Sequence, residues 1–255
     1  MSAPVNGLKT ITVKHGQEAY IQRNFGTIDD VGSYLSSAAG SGTYTADADY
    51  VFPGAGADLV LRVADQPIFS ATDMVVAVEG TAVGGGALEG WATVKANSPE
   101  DQAYTVATPA SAKFASVTSM SATNGVLGDK VEVLVLPNPA NDVEMCYIQD
   151  LSLERGKTVK AVYCHFTLMH NKRLRGERNM SATIWYTHHM EGLALITDRD
   201  VTLRIDIKDD CKNTITETIY VDKARIGVSW SKPAGDEGEV TSKGDGTFGR
   251  LLVFS

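Results

Sequence analysis

The sequence contains none of the residue arrangements that most catalytic sites require. It has no Gly-x-Ser-x-Gly motif, which would place a nucleophilic serine on a sharp turn between a strand and a helix. The glycine-rich stretches at 40–42 and 84–86 lack the Lys-Ser or Lys-Thr ending of a phosphate-binding loop. We interpret both stretches as turns, and we predict that the protein is not an enzyme and uses no cofactor.

Metal ligands are equally poorly placed. His188, His189 and Glu191 are close in sequence, but adjacent histidines on a strand point to opposite faces and do not converge on one ion. The aspartates at 198–200 and 209–210 lack the ligand loop with a closing glutamate that commonly holds Ca²⁺. We predict no metal site. A turn or an interface is the expected role of the histidines, and a structural cation at the aspartates is the alternative.

Cysteines and long apolar runs are also scarce. The odd number of cysteines, Cys146, Cys164 and Cys211, excludes a complete set of disulfide bonds within the chain. We expect free thiols, with bridges between subunits as the alternative. The first residues contain no apolar segment typical of a signal peptide, and no run approaches the roughly 18 apolar residues of a membrane span. We therefore expect synthesis in the cytoplasm and no membrane association.

Positive charge is in deficit. The 255 residues include 23 Lys and Arg against 31 Asp and Glu, which gives a formal net charge of −8. Binding of nucleic acid through a basic surface needs an excess of Lys and Arg, so the charge argues against this class of function, and contact of nucleic acid with a single basic loop is the least favoured alternative. The deficit lies in the first 140 residues, which hold 7 Lys and Arg against 14 Asp and Glu.

The sequence instead contains many short segments in which apolar and polar residues alternate. Val201, Leu203, Ile205 and Ile207 fall on one face of an extended chain, with polar residues between them. A period of two is typical of antiparallel strands that are buried on one side. We predict a mainly β protein with strands at 8–14, 59–63, 73–79, 90–96, 103–107, 115–121, 130–136, 147–153, 158–169, 180–187, 200–208, 214–222, 225–231, 238–242 and 248–254.

Two kinds of segment interrupt this pattern. Residues 28–35 have the pattern of a short helix capped by Asp29 or Asp30, and residues 36–56 have the small, polar composition of a loop or arm. The prolines at 137 and 139 stiffen the chain and mark a boundary. We predict three regions: an N-terminal arm and loop at 1–56, an antiparallel β-sandwich at 57–137 and an antiparallel β-barrel or sandwich at 141–255.

A long hairpin predicted at 158–187 has a basic tip at 170–178. Charges at a hairpin end often serve only to prevent strand edges from sticking together. Alternatively, guanidinium groups form strong, directional pairs with carboxylates, which the acidic first half of a neighbouring copy would supply. We favour docking for the basic side chains of this tip, which are Lys172, Arg173, Arg175 and Arg178.

Exposed aromatic side chains would indicate another class of protein, a carbohydrate-binding receptor module. The three tryptophans, Trp91, Trp185 and Trp230, each occupy a strand position that suits a core. We therefore expect them to be buried, which makes this class less favoured.

The second half of the chain contains the segments YIQDLSL at 147–153, DEGEVTS at 236–242 and DGTFG at 245–249, together with the hairpin at 158–187. With these segments it resembles the tail tube proteins of long-tailed bacteriophages. The first half, especially residues 93–136, resembles the immunoglobulin-like (Ig-like) modules of phage structural proteins, and its marks are the polar hairpin at 97–101 and the run KFASVTSM at 113–120.

The resemblance implies a subunit of six-membered, stacked rings whose sheets join into a continuous inner barrel. An acidic inner wall would let DNA pass without sticking. The implied contacts between subunits are the basic hairpin tip and the 36–56 loop, where Tyr44, Tyr50 and Phe52 are candidates. The implied protein is a virion structural protein whose partners are copies of itself and other virion proteins. A capsid decoration protein and a tail-tip or head-to-tail connector component are the alternatives.

Overall fold

The computed structural model describes residues 8–12, 17–38, 41–154, 158–166, 201–209, 214–231, 240–247 and 249–255. This part of the chain is mainly β and forms antiparallel sheets, so the predicted fold class is confirmed. The chain divides into two compact units. Unit 1 holds residues 1–27, 138–251 and 255, and unit 2 holds residues 28–137 and 252–254.

The strands are numbered in chain order. Those that begin in unit 1 are β1 (Leu8–Thr12), β2 (Gln17–Asn24), β11 (Val143–Glu154), β12 (Thr158–Phe166), β13 (Val201–Asp209), β14 (Thr214–Ser231), β15 (Val240–Thr247) and β16 (Arg250–Phe254). Those of unit 2 are β3 (Asp29–Ala38), β4 (Ser41–Ala46), β5 (Val60–Val63), β6 (Met74–Ala82), β7 (Ala87–Val94), β8 (Ala103–Thr105), β9 (Phe114–Thr123) and β10 (Lys130–Val135). Single 3₁₀ turns at Pro109–Ser111 and Pro139–Asn141 are the helical elements of the described residues.

Unit 1 has the backbone pairing of a closed antiparallel barrel. The pairing runs from β2 to β11, β12, β15, β14 and β13, and from β13 back to β2. Strand β1 pairs with the second half of β11, where Leu8 lies opposite Glu154. Closure gives each strand of the circuit a partner on both sides, which removes the exposed edges of an open sheet.

Strand β13 is buried on both faces. Its four apolar residues are buried as the alternation predicts: Val201, Leu203, Ile205 and Ile207. The opposite face carries polar residues but is not open to solvent, because Thr202 and Asp206 are buried as well. The Thr202 hydroxyl donates to the carbonyl oxygen of Gly26 (2.8 Å).

A polar network covers that second face of β13. The Asp206 carboxylate accepts hydrogen bonds from the Thr218 hydroxyl (2.8 Å) and from Arg204 Nε (3.1 Å). Arg204 also pairs with Asp142 (3.5 Å), whose other carboxylate oxygen accepts a bond from the Asn24 amide (2.7 Å). Buried polar groups are tolerated only when they are paired in this way. The network therefore fixes the place at which the chain re-enters unit 1.

Strand β14 is longer than the sequence predicted. Two strands, 214–222 and 225–231, were expected with a turn between them, but one strand spans the whole region. Lys223 has a φ of 50°, and the register against β13 shifts beside it. A single left-handed residue forms a β-bulge, so the strand bends and continues where a turn was expected.

Unit 2 is a β-sandwich. The larger sheet has the strand order β4-β3-β10-β5-β8, and the smaller has the order β7-β6-β9. The six strands predicted between residues 59 and 136 are confirmed, with ends that differ by a few residues. Buried side chains from both sheets form one core, which includes Leu61, Val76, Phe114 and Val131.

The prediction of an N-terminal arm and loop at 1–56 was wrong. Residues 29–38 form strand β3 where a helix start was expected, and residues 41–46 form strand β4 within the expected loop. Strands β1 and β2 belong to unit 1, whereas β3 and β4 form one side of the larger sheet of unit 2.

A β-bulge explains why β3 looks helical in the sequence. Val31 and Tyr34 lie three residues apart and are both buried, a spacing that imitates one face of a helix. The register against β10 pairs Gly32 with Val133 and then Asp30 with Leu134, so Val31 is an extra residue. Such an insertion changes which side chains of the strand face the core.

Glycine at position 42 allows β4 to cross the core residue Tyr34. A Cβ atom at Gly42 would overlap the ring and hydroxyl of Tyr34. The Tyr34 hydroxyl is fully buried and makes no well-formed hydrogen bond in the described part of the chain, because the backbone of Ala122 interacts with it only weakly. An unsatisfied buried hydroxyl destabilises the folded state.

We expect the substitution Tyr34→Phe to stabilise the protein, because it removes this unsatisfied hydroxyl. The free energy of unfolding at neutral pH should rise by about 1 kcal/mol, measured by urea denaturation. An unchanged or lower value would contradict the assignment of Tyr34 as unsatisfied.

The same variant should change the response to alkaline pH. Burial raises the pKa of Tyr34, and the nearby backbone of Ala122 partly offsets this effect. The pKa of a tyrosine in the unfolded chain is about 10, and the pKa of Tyr34 in the folded protein lies above it. The free energy of unfolding therefore falls as the pH rises from about 10 through the pKa of the folded state. The Tyr34→Phe variant lacks the ionisable hydroxyl and does not lose stability in this way. The difference in the free energy of unfolding between the variant and the wild type should therefore increase above pH 10.

A candidate assembly surface at the end of the sandwich

Three large apolar side chains are exposed together on two loops of unit 2. Phe69 is 56% exposed on the loop that follows β5, and Val126 and Leu127 are 37% and 75% exposed on the loop between β9 and β10. A Cβ atom on Gly128 would lie 3.9 Å from the Phe69 ring, so the two loops are neighbours. We call Phe69, Val126 and Leu127 the apolar tip.

A buried carboxylate holds the two loops of the apolar tip together. One oxygen of Asp129 accepts a hydrogen bond from the backbone N–H of Phe69 (2.7 Å). The other oxygen accepts a bond from the backbone N–H of Val126 (3.0 Å). Asp129 is fully buried, so these charge-assisted bonds are shielded from water. The backbone beneath two of the three apolar side chains is therefore fixed.

Further hydrogen bonds fix the same loops. The Gln66 side-chain amide donates to the carbonyl oxygen of Gly128 (2.7 Å). The backbone N–H of Gly128 in turn donates to the carbonyl oxygen of Ser36 (3.1 Å). The Ser70 hydroxyl bonds with the carbonyl oxygens of Thr72 and Asn124, both at 2.7 Å. These hydrogen bonds hold the loops of the apolar tip in place within the single chain.

The apolar tip lies at one end of the sandwich. The longer segment of unit 2 begins at Ile28 and ends at Pro137, beside the pair formed by Asp29 and Val135. The other end of the β3–β10 pair is formed by Leu35 and Lys130, next to the loop that carries Val126 and Leu127. The tip is therefore at the end of this strand pair opposite Ile28 and Pro137.

This arrangement has the chemistry of a protein contact. The tip itself carries no ionisable side chain, whereas Asp65 and Lys130 form an ion pair (2.6 Å) at the ends of the neighbouring strands. Interfaces commonly combine a rigid apolar centre with a polar rim, and contiguous exposed apolar residues mark interaction sites. The three exposed side chains of the tip are hydrocarbon and make contacts through their apolar surface.

The predicted loop contacts, Tyr44, Tyr50 and Phe52, pack within unit 2. All three rings lie against its core. The Tyr44 hydroxyl donates to the carbonyl oxygen of Val31 (3.2 Å), and the rings of Tyr50 and Phe52 meet edge to face with centroids 4.8 Å apart. Burial raises the pKa of Tyr44, and burial with the nearby Asp29 raises that of Tyr50. Their contact with another subunit stays a prediction.

Several predicted residues lie outside the described part of the chain. These are the docking residues Lys172, Arg173, Arg175 and Arg178, the group of His188, His189 and Glu191, and Trp185. Within the described ranges, no group of three or more His, Cys, Asp or Glu is arranged to hold a metal ion. No helix in those ranges is long and apolar enough to cross a membrane.

The prediction that Trp91 is buried was wrong. Trp91 is 41% exposed, and its neighbours in the strand, Gly90 and Ala92, are the residues that face inward. The alternation in β7 was visible in the sequence, but its phase was misjudged because a large aromatic residue was assigned to the core.

Sequence reasoning did not find the apolar tip, although one signal was present. The turn Asn124-Gly125-Val126-Leu127-Gly128-Asp129 carries two adjacent apolar residues between glycines, where turns usually carry polar ones. Phe69 gave no such signal, because it lies far away in sequence and reaches the tip only through folding.

Comparisons with known proteins identify no relative. No family model, no curated protein and no solved structure matches the chain.

We expect Asp129→Asn to destabilise the protein by about 3 kcal/mol, because one of two buried N–H groups loses its charged acceptor and faces an amide donor. Urea denaturation measures the change. Asp58→Asn is the matched control, since Asp58 makes only an exposed ion pair with Lys113 (2.8 Å) and should matter little. Equal stabilities of the two variants would show that Asp129 does not hold the loops.

Proposed function

We propose that this protein is a non-enzymatic virion structural protein, a tail tube subunit of a long-tailed bacteriophage. In this role it assembles with copies of itself into stacked rings through which DNA passes. The observation that carries the proposal is the apolar tip of unit 2, because an exposed apolar surface on loops held by hydrogen bonds suits permanent contact with another protein.

The pairing in unit 1 bears on how such subunits would join. The strands of the circuit already have partners on both sides, so assembly in this region relies on loops, hairpins and strand β1. Closure within one chain therefore favours the loop contacts between subunits that the resemblance implies over the implied joining of sheets into a continuous inner barrel. The two sheets of unit 2 are compatible with the Ig-like module that the first half of the chain resembles.

The charge of the chain supports a conduit over a nucleic-acid binder. The net charge of −8 gives an acidic molecule, and an acidic wall repels the phosphates of DNA. Repulsion prevents DNA from adhering as it moves. The proposal therefore places the protein in the virion, after synthesis in the cytoplasm of the host.

Two other structural roles predict different assembly states. A capsid decoration protein would remain a monomer or a trimer until it met a preformed shell. A tail-tip or head-to-tail connector component would form a closed ring and would not extend into a tube. Sedimentation and negative-stain imaging of the purified protein separate these alternatives from a polymerising tube subunit.

The first assembly test is the double substitution Phe69→Ser with Leu127→Ser. Removal of the two most exposed side chains of the apolar tip should abolish rings and tubes in negative-stain images and leave a slowly sedimenting species. The matched control is Val51→Ser, because Val51 is 84% exposed on the same unit but lies outside the tip. Normal assembly of the double variant would exclude the apolar tip as the contact surface.

The second assembly test concerns the predicted hairpin tip. Reversing two charges with Arg173→Glu and Arg175→Glu should impair assembly, because the pairs with carboxylates of a neighbouring copy become repulsive. A matched control with the same net charge is Lys95→Glu with Lys113→Glu, which alters two exposed ion pairs of unit 2. If both double variants assemble like the wild type, the docking role of this hairpin is wrong.

A further inference from the structure

The outer face of the smaller sheet of unit 2 carries a distinctive set of side chains. Registers between β6, β7 and β9 place three rows of three residues side by side. By strand spacing, the grid measures about 10 Å by about 14 Å. We call it the Trp91 face, and its rows are Thr93, Val75 and Thr123; Trp91, Ala77 and Ser121; and Glu89, Glu79 and Ser119.

The centre of this face offers an aromatic ring beside a small residue. Trp91 is paired in register with Ala77, and Ala77 with Ser121, so no large side chain stands across the sheet from the indole. The indole N–H donates to a Glu89 carboxylate oxygen (3.1 Å), which restrains the ring. An exposed tryptophan of this kind offers a large apolar area at a low cost in conformational entropy.

Hydrogen-bonding groups surround the indole. Glu79 and Glu89 are paired in register on neighbouring strands, and both residues are exposed. Glu79 accepts a bond from the Ser119 hydroxyl (2.6 Å), and a carboxylate keeps further acceptor sites beyond one such bond. Hydroxyl groups of Thr93, Ser121 and Thr123 add donors and acceptors on the same face.

The charge of the face selects among ligands. It carries two carboxylates and no Lys or Arg in any of its nine positions. Anionic partners such as nucleic acids and acidic polysaccharides would be repelled. A neutral ligand with many hydroxyl groups can instead donate to the carboxylates, while its C–H groups lie against the electron-rich face of the indole.

We propose that the Trp91 face is a binding site for neutral polysaccharides built of pyranose rings. One ring of the sugar packs on the indole of Trp91, and its hydroxyl groups donate to Glu79 and Glu89. The hydroxyl side chains of the other rows contact the neighbouring rings of the sugar chain. This site is separate from the apolar tip, so it does not depend on the proposed assembly function.

The test is a titration of the full-length protein with four neutral hexasaccharides: cellohexaose, maltohexaose, mannohexaose and chitohexaose. A change in tryptophan fluorescence and isothermal titration calorimetry report binding. We expect at least one of the four to bind, and hexagalacturonate, which is acidic, to bind at least about tenfold more weakly than that sugar. Short soluble sugars occupy one site each, so the affinity does not depend on the assembly state.

Two variants locate the site. Trp91→Ala should weaken binding at least about tenfold, because a central aromatic anchor is lost. Val51→Ala is the matched control, since Val51 is an exposed residue of the same unit outside both the Trp91 face and the apolar tip. Circular dichroism checks that both variants fold, and Trp91→Phe, which keeps an aromatic ring, should retain part of the affinity.

Three results would overturn the proposal. The first is the absence of binding to any of the four neutral sugars. The second is equal affinity of the wild type and Trp91→Ala, or equal affinity for the neutral sugar and hexagalacturonate. The third is a Trp91→Ala variant that binds sugar normally but no longer assembles, which would make the face a contact between copies. A failure of assembly in the Phe69 and Leu127 variants alone bears only on the proposed function.

Discussion

Backbone hydrogen bonding is the constraint on which this structure depends, because a chain made almost entirely of strands has many N–H and C=O groups to pair. Unit 1 meets the requirement with a circuit of strands that returns to β2. Unit 2 meets it with two sheets, and where its strands end, side chains replace the missing partners. Asp129 does so for two loops, since its carboxylate accepts N–H groups from both Phe69 and Val126.

The two surfaces of unit 2 follow from the same constraint. Loops that are held by a buried carboxylate can present apolar side chains outward without collapsing on them, which gives the apolar tip. A three-stranded sheet that buries one face leaves the other face open, and alternation then places Trp91 and its hydroxyl and carboxylate neighbours there. One surface suits a protein partner, and the other suits a ligand rich in hydroxyl groups.

Much of the fold was predictable, and particular residues show where prediction failed. The alternation in β13 and the six strands between residues 59 and 136 were predicted from a period of two. Strand β3 was mistaken for a helix because a bulge at Val31 brings Val31 and Tyr34 to the same side. Strand β14 was split because Lys223 bends the chain without ending the strand. A bulge interrupts the alternation of apolar and polar residues from which strands are predicted. It can be identified only from the register with the paired strand.

The sequence by itself determined the mainly β class, the acidic charge and the absence of familiar catalytic motifs, because these properties depend on composition and on neighbours along the chain. Only the tertiary structure decided which strands pair, that Trp91 faces outward, and that Phe69 joins Val126 and Leu127 at one tip. The reason is physical. Residues far away in sequence determine which side chains of a strand face the core and which loops become neighbours, and the local sequence pattern does not contain this information.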